Sequence, residues 1–160
     1  MNIYARILDT QVLEGRDPKS KMSFTVWLES NDGSIRKILD DPRGHLGLII
    51  IIARRLGYAI LPSLDPYADH IITGEQAQAL ASELEKLALA LTPEVLSYAK
   101  NEMFDFWNSF GVFSSVEGQG YQEHLDIATI TLIERVVTEL AALARVGATK
   151  PNVWLALYGD

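Results

Sequence analysis

The stretch Leu46-Gly-Leu-Ile-Ile-Ile-Ile-Ala53 carries no polar side chain. It is apolar almost all round, so it belongs inside a fold as a buried helix or a buried strand, and periodicity alone does not separate the two. Its flanks favour helix. Asp41 can cap an N-terminus whose first residue is Pro42, and Gly57 after Arg54-Arg55-Leu56 suits a C-terminal stop. The four consecutive isoleucines at 49–52 favour strand. The caps lead us to expect helix, with strand as the open alternative. The run is far shorter than the roughly 20 apolar residues that span a bilayer. Arg54 and Arg55 close it, so no membrane segment is expected.

The first quarter of the chain has β character. Residues 2–8 include Ile3, Tyr4, Ile7 and Leu8, a short strand pattern ended by Asp9 and Thr10. Met22, Phe24, Val26 and Leu28 alternate with Ser23, Thr25, Trp27 and Glu29, which is a period of two with one apolar face. Ser30-Asn-Asp-Gly33 is turn chemistry, and residues 34–39 form the return strand of a hairpin.

Helical patterns follow. Thr73 and Gln76 suggest a capping box, and residues 74–91 place Leu80, Leu84, Leu87 and Leu91 on one stripe. Thr92-Pro93 opens a helix to Phe110, stopped at Gly111, and residues 111–121 have loop composition. A last helix over 122–146 buries Leu125, Leu132, Ile133, Val136, Val137, Leu140 and Leu143, with Gly147 as its end. Residues 152–158 make a final strand returning to the N-terminal sheet. The expected fold is one α+β domain over residues 1–160, a small antiparallel sheet packed against about four helices.

Length and charge narrow the function. A chain of 160 residues can bury a sizeable core. Its 14 basic and 21 acidic residues give a net charge of −7, against the basic face that nucleic-acid binding wants. The same charge suits a basic partner. With no cysteine, disulfides, thiolate metal sites and cysteine nucleophiles are excluded. The start of the chain lacks the apolar segment of an export signal, which makes the cytoplasm the expected location.

The catalytic inventory is thin. No Gly-x-Ser-x-Gly elbow, phosphate-cradling Walker loop or His-Glu-x-x-His is present. Gly118-Gln-Gly120 does not follow a strand in a βαβ unit. Of the three histidines, His45 and His124 fall in first helical turns, with packing or surface roles. His70 closes Asp65-Pro-Tyr-Ala-Asp-His70, where two carboxylates and an imidazole could hold a divalent cation or act as an acid–base pair. The plainer reading of the same residues, and the one we favour, is a turn begun by Asp65-Pro66 with Asp69 capping a bend. A metal-dependent or hydrolytic enzyme using this loop is therefore one alternative. A homo-oligomeric assembly subunit is another.

In the following helix Val95, Ala99, Met103, Phe106, Trp107 and Phe110 share one face, most simply the core. Glu94, Tyr98, Asn101 and Asp105 form a separate stripe. Two carboxylates around a tyrosine and an asparagine make an acidic, hydrogen-bonding ridge, and tyrosine is a favoured interface anchor. Ser63-Leu-Asp-Pro-Tyr-Ala-Asp69, Gln76, Leu80…Glu83-Leu84…Leu87 and the closing Trp154…Tyr158-Gly-Asp160 resemble a loose group of small uncharacterised bacterial proteins. Some of these look like immunity proteins of polymorphic-toxin or contact-dependent inhibition systems. The resemblance covers under a third of the chain and carries over no catalytic residue. It implies an α+β protein of the cytoplasm with a protein partner. The expectation is thus a non-catalytic, immunity- or antitoxin-like binder without a cofactor, blocking a basic toxin domain by direct contact. Its partner-binding residues are Glu94, Tyr98, Asn101 and Asp105, with Asp65, Tyr67 and Asp69 as a second group.

Overall fold

The apolar run is helix in a computed structural model of the protein, which describes residues 6–8, 25–34, 36–40, 45–65, 68–109, 122 and 125–158. Helix α1 (His45–Arg55) buries His45, Leu46, Leu48, Ile49, Ile50, Ile52 and Ala53, so it is covered on nearly every side. Four consecutive isoleucines tolerate helix here because burial of Ile49, Ile50 and Ile52, at about 1.5–3 kcal/mol each, outweighs a propensity difference below about 1 kcal/mol per residue. Gly57 ends the helix as expected. Its φ of 78° lets the Tyr58 N–H reach back to the Ala53 carbonyl at 3.0 Å and the Gly57 N–H to the Arg54 carbonyl at 3.2 Å. Asp41 and Pro42, the expected opening of this helix, lie outside the described residues.

The chain then makes a short 3-10 turn, Leu61–Ser63. Its leading N–H groups are satisfied from a distance. Glu83 accepts hydrogen bonds from the backbone N–H of Ala59 at 3.2 Å, Ile60 at 2.7 Å and Leu61 at 3.0 Å. The carboxylate thus does the work of a local cap and pins the 59–61 backbone to the next helix. Beside it, burial, reinforced by the Glu83 charge, holds the Tyr58 phenol above its ordinary pKa.

Strands β1 (Arg6–Leu8), β2 (Thr25–Ser30), β3 (Arg36–Asp40), β4 (Asp69–Ile72) and β5 (Val153–Tyr158) build one five-stranded sheet in the order β1-β3-β2-β5-β4. Every neighbouring pair is antiparallel. The expected hairpin is β2–β3, and the C-terminal strand does return to it, pairing Thr25 with Tyr158 and Ser30 with Val153. β2 reaches Ser30 because β5 pairs with it that far. β4 is a departure: Asp69 and His70, read as part of a loop, belong to a strand registered on β5 from Asp69↔Tyr158 to Ile72↔Leu155. Four residues are too few to display a period, and only pairing with β5 makes this segment a strand.

The sheet has two faces. Val26 and Leu28 sit opposite Leu157 and Leu155, all buried, with Ile72 in the same layer. Trp27, Glu29, Trp154 and Tyr158 belong to the other face. There the Glu29 carboxylate accepts hydrogen bonds from the Trp154 indole N–H and the Tyr158 hydroxyl, each at 3.2 Å.

The helices stack against the buried face. α4 (Ile130–Thr149) packs on β5, α2 (Gly74–Ala90) runs along α4, α1 touches both, and α3 (Pro93–Ser109) packs on α1. The result is the expected α+β fold, with four long helices among the described residues and a further helical segment at 125–127. Boundaries differ where caps differ. The last helix starts at Ile130 rather than 122, because Thr129 is extended (φ −124°, ψ 164°) and its side chain accepts the Leu132 N–H. The expected Thr73–Gln76 capping box does not form: the Thr73 side chain makes no cap bond, and its carbonyl accepts from Gln76 and Ala77 instead. Gly147 does not end α4. It is buried within the helix, where an added Cβ would stand 3.5 Å from the Leu155 nitrogen and 3.8 Å from the Leu28 Cδ1.

Those distances are ordinary contacts, so Gly147→Ala relieves the entropic cost of a helical glycine without a clash. It is expected to stabilise the fold by about 0.5–1 kcal/mol in denaturant titration; a loss of stability would mean α4 sits closer to β5 than described. Glu83→Ala strands up to three N–H groups at once and is expected to cost about 2–4 kcal/mol in the same measurement. A cost below about 1 kcal/mol would show that water replaces the carboxylate.

Candidate functional site

The ridge on α3 forms as its spacing predicts. Thr92 caps the helix, its Oγ1 accepting the Val95 N–H at 3.2 Å, and Pro93 occupies the first turn, where a missing N–H costs nothing. Leu96, Ala99 and Met103 are buried against α1. The approach is close: a Cβ on Gly47 would lie 2.7 Å from the Met103 Cε. With that face turned inward, Glu94, Tyr98, Asn101 and Asp105 are all exposed, and Tyr98 keeps 40% of its surface open.

The two helices run antiparallel, since Gly47 near the start of α1 meets Met103 and Arg55 at its end meets Tyr98. This accounts for a correction. Phe106, expected in the core face, is 47% exposed. Residues beyond about 104 run past the start of α1, whose 11 residues cannot cover a 17-residue partner. The side chains of Trp107 and Phe110 lie outside what the structure describes.

Tyr98 is not bare. The Arg55 guanidinium carbon lies 3.9 Å from the centroid of its ring, a cation–π stack across the α1–α3 contact. Sequence gives no signal of this, because the partners are 43 positions apart and only the helix crossing joins them. Among the described residues, no hydrogen bond or ion pair engages Glu94 or Asp105. Two other carboxylates are paired. Arg145 forms a two-pronged bridge to Glu85 at 2.9 and 2.8 Å, which holds the Glu85 carboxyl below its usual range. Arg135 reaches Glu139 at 3.8 Å, although burial pushes that carboxyl up.

The second group is described only in part. Asp65 is exposed after the 3-10 turn, and Tyr67 lies outside the described residues. Asp69 and His70 are successive residues of β4 and therefore point to opposite faces of the sheet, Asp69 exposed and His70 half-buried. The His70 Nε2 lies 3.0 Å from both the nitrogen and the carbonyl oxygen of Asp65, so the imidazole closes the loop through main chain. Among the described residues, no three His, Asp or Glu side chains converge to hold a metal ion. The ridge lies on α3 over α1, and this loop leads into the β4 edge of the sheet.

A polar groove at one end of the sheet escaped sequence reasoning. The Asn31 N–H donates to the Asn152 carbonyl at 3.0 Å, docking the β2–β3 turn on the α4–β5 turn. Asn152 takes φ 59°, a left-handed conformation that asparagine tolerates. Between and beside these turns lie two adjoining hollows of about 330 and 570 Å³, both lined by Asn31, Lys150 and Asn152. Asp32 organises the hairpin tip: its Oδ1 accepts the Ser30 hydroxyl and the Ser34 N–H, each at 2.9 Å. No helix among the described residues is long and apolar enough to cross a membrane. Comparison of the chain with protein-family models, curated proteins and solved structures finds no match.

Hydrogen bonds from the side chain and backbone of Ser34, and from Ser30, hold the Asp32 carboxyl down to about 2. Its folded pKa lies below the ordinary value, so its support of the turn is complete above about 4 and is lost as pH falls through about 2. The Ser34 amide resonance is expected to titrate near pH 2 and to stop doing so in Asp32→Asn. A midpoint near 4 would show that the turn bonds do not form in solution.

Proposed function

We propose that this chain is a protein-binding domain that captures a basic partner through the outer face of α3, in the manner of a cytoplasmic immunity or antitoxin-like protein that blocks a toxin by covering its active surface. The observation that carries this reading is the joint exposure of Glu94, Tyr98, Asn101 and Asp105 on one helix whose opposite face is locked against α1. A rigid helix presents these groups at fixed spacing, so little entropy is lost on docking. The two unengaged carboxylates and the net charge of −7 draw a basic surface in, which raises the association rate. Tyr98 supplies the large ring that makes a complex persist.

The test begins with affinity capture to identify the partner, followed by kinetics with purified protein. Glu94→Lys combined with Asp105→Lys is expected to slow association at least about 10-fold at low salt, with the difference shrinking as salt rises. Tyr98→Ala is expected to speed dissociation about 30-fold, equivalent to about 2 kcal/mol. Glu94 and Asp105 face solvent, so that pair should leave the fold intact, while Tyr98→Ala also loses the Arg55 stack and is expected to lower stability by about 0.5–1 kcal/mol. Unaltered kinetics in these variants would move the interface off α3, with the Asp65–Asp69 loop the next surface to probe.

A further inference from the structure

We infer that the α3 face discriminates arginine from lysine, and that Arg55 is a resident occupant of the site that an arginine of the partner replaces; this rests on α3 being the partner-binding face. The structure already seats a guanidinium on the ridge. Arg55 lies over the Tyr98 ring at 3.9 Å, and among the described residues no ion pair or hydrogen bond ties it elsewhere. An exposed cation–π contact is worth only about 0.5–1 kcal/mol, so the stack is readily exchanged. Arg55 also has somewhere to go, since a cation in the last turn of α1 is favoured there by the helix dipole whether or not it touches the ring.

The neighbours of Tyr98 match the same chemistry. Glu94 lies one turn before it, with no hydrogen bond or ion pair among the described residues, while Asp105, two turns after it, adds to the acidic field of the face. A guanidinium can stack flat on the ring while its fork of donors reaches a carboxylate. An ammonium is a strongly hydrated point charge and cannot satisfy both at once. Arg55 thus shields the ring from isolated cations, and an incoming arginine displaces it only when a carboxylate is gained together with the ring.

The test uses hexa-arginine and hexa-lysine peptides, titrated into the full chain at about 0.15 M salt, where long-range attraction is screened. Nuclear magnetic resonance follows the Tyr98 ring and the Arg55 Nε–H. Hexa-arginine is expected to bind at least about 3-fold more tightly than hexa-lysine, to shift the Tyr98 ring and to release the Arg55 resonance. Arg55→Gln should then tighten hexa-arginine binding about 2- to 5-fold, the loss of one exposed stacked competitor. Tyr98→Leu should erase the difference between the two peptides. Equal binding of both peptides, unchanged or weaker binding in Arg55→Gln, or shifts confined to residues away from α3 would each overturn the inference. Neither peptide involves the partner, so the two ideas fail separately. Equal peptide binding alongside ridge-dependent partner kinetics removes only the arginine preference. Arginine-selective binding with partner kinetics indifferent to the ridge removes the functional reading instead.

Discussion

Burial of α1 on nearly every side is the constraint from which the rest of the architecture follows. An 11-residue helix with seven buried positions needs neighbours around its whole circumference. A sheet offers one flat surface and cannot supply them alone, so the helices form a stack in which α4 rests on β5, α2 lies along α4, and α3 closes the far side of α1. The buried residues accordingly make one continuous cluster, from Val26 and Leu155 on the sheet through Val137 and Leu84 to Ile49 and Met103. The α3 ridge is a by-product of this closure. A helix added last, to cover α1, keeps its own outer face in water.

What was legible in the sequence follows the range of the interactions concerned. Gly57 as the stop of α1 and Thr92-Pro93 as the start of α3 depend on atoms within five residues, and both appear where their chemistry indicates. The Thr73–Gln76 pair has the same local form but no side-chain bond, because the chain enters α2 through Gly74 at φ 52° and the backbone turns the corner by itself. Gly147 misled for the opposite reason. A glycine near a helix end resembles a terminator, yet here it lies inside α4, close to the backbone of β5, and that strand comes later in the chain. The β4 segment was illegible outright: its Asp-Pro entry has turn chemistry, and its strand state depends on β5, more than 80 residues on.

The same division runs through the candidate site. Helical spacing alone placed Glu94, Tyr98, Asn101 and Asp105 on one face, and any straight helix would keep them there. Which faces are covered depends on partner lengths, so Phe106 could be assigned to the inner face by its angle and still emerge beyond the end of α1. The Asp65–His70 segment departs from a simple loop for a geometric reason. Proximity in sequence implies proximity of side chains in a loop or helix turn, but adjacent residues of a strand diverge, and β4 sends Asp69 and His70 to opposite faces.

Electrostatics links the fold to the proposed role. A surplus of seven negative charges repels itself in any compact state, and cross-element pairs such as Arg145–Glu85 relieve part of that repulsion while joining α2 to α4. Each pair formed in this way removes both of its charges from the field available to a partner. The carboxylates that still project outward are those that no structural pair has absorbed, and Glu94 and Asp105 are among them because, among the described elements, α3 packs mainly on α1, and α1 presents to it a nearly uncharged surface. Arg55 is the exception at the tip of α1, and it meets the ridge at an aromatic ring instead of a carboxylate. A stack on Tyr98 neutralises no charge. The apolar character of α1, which makes it the centre of the core, is therefore also what leaves the acidic ridge unquenched.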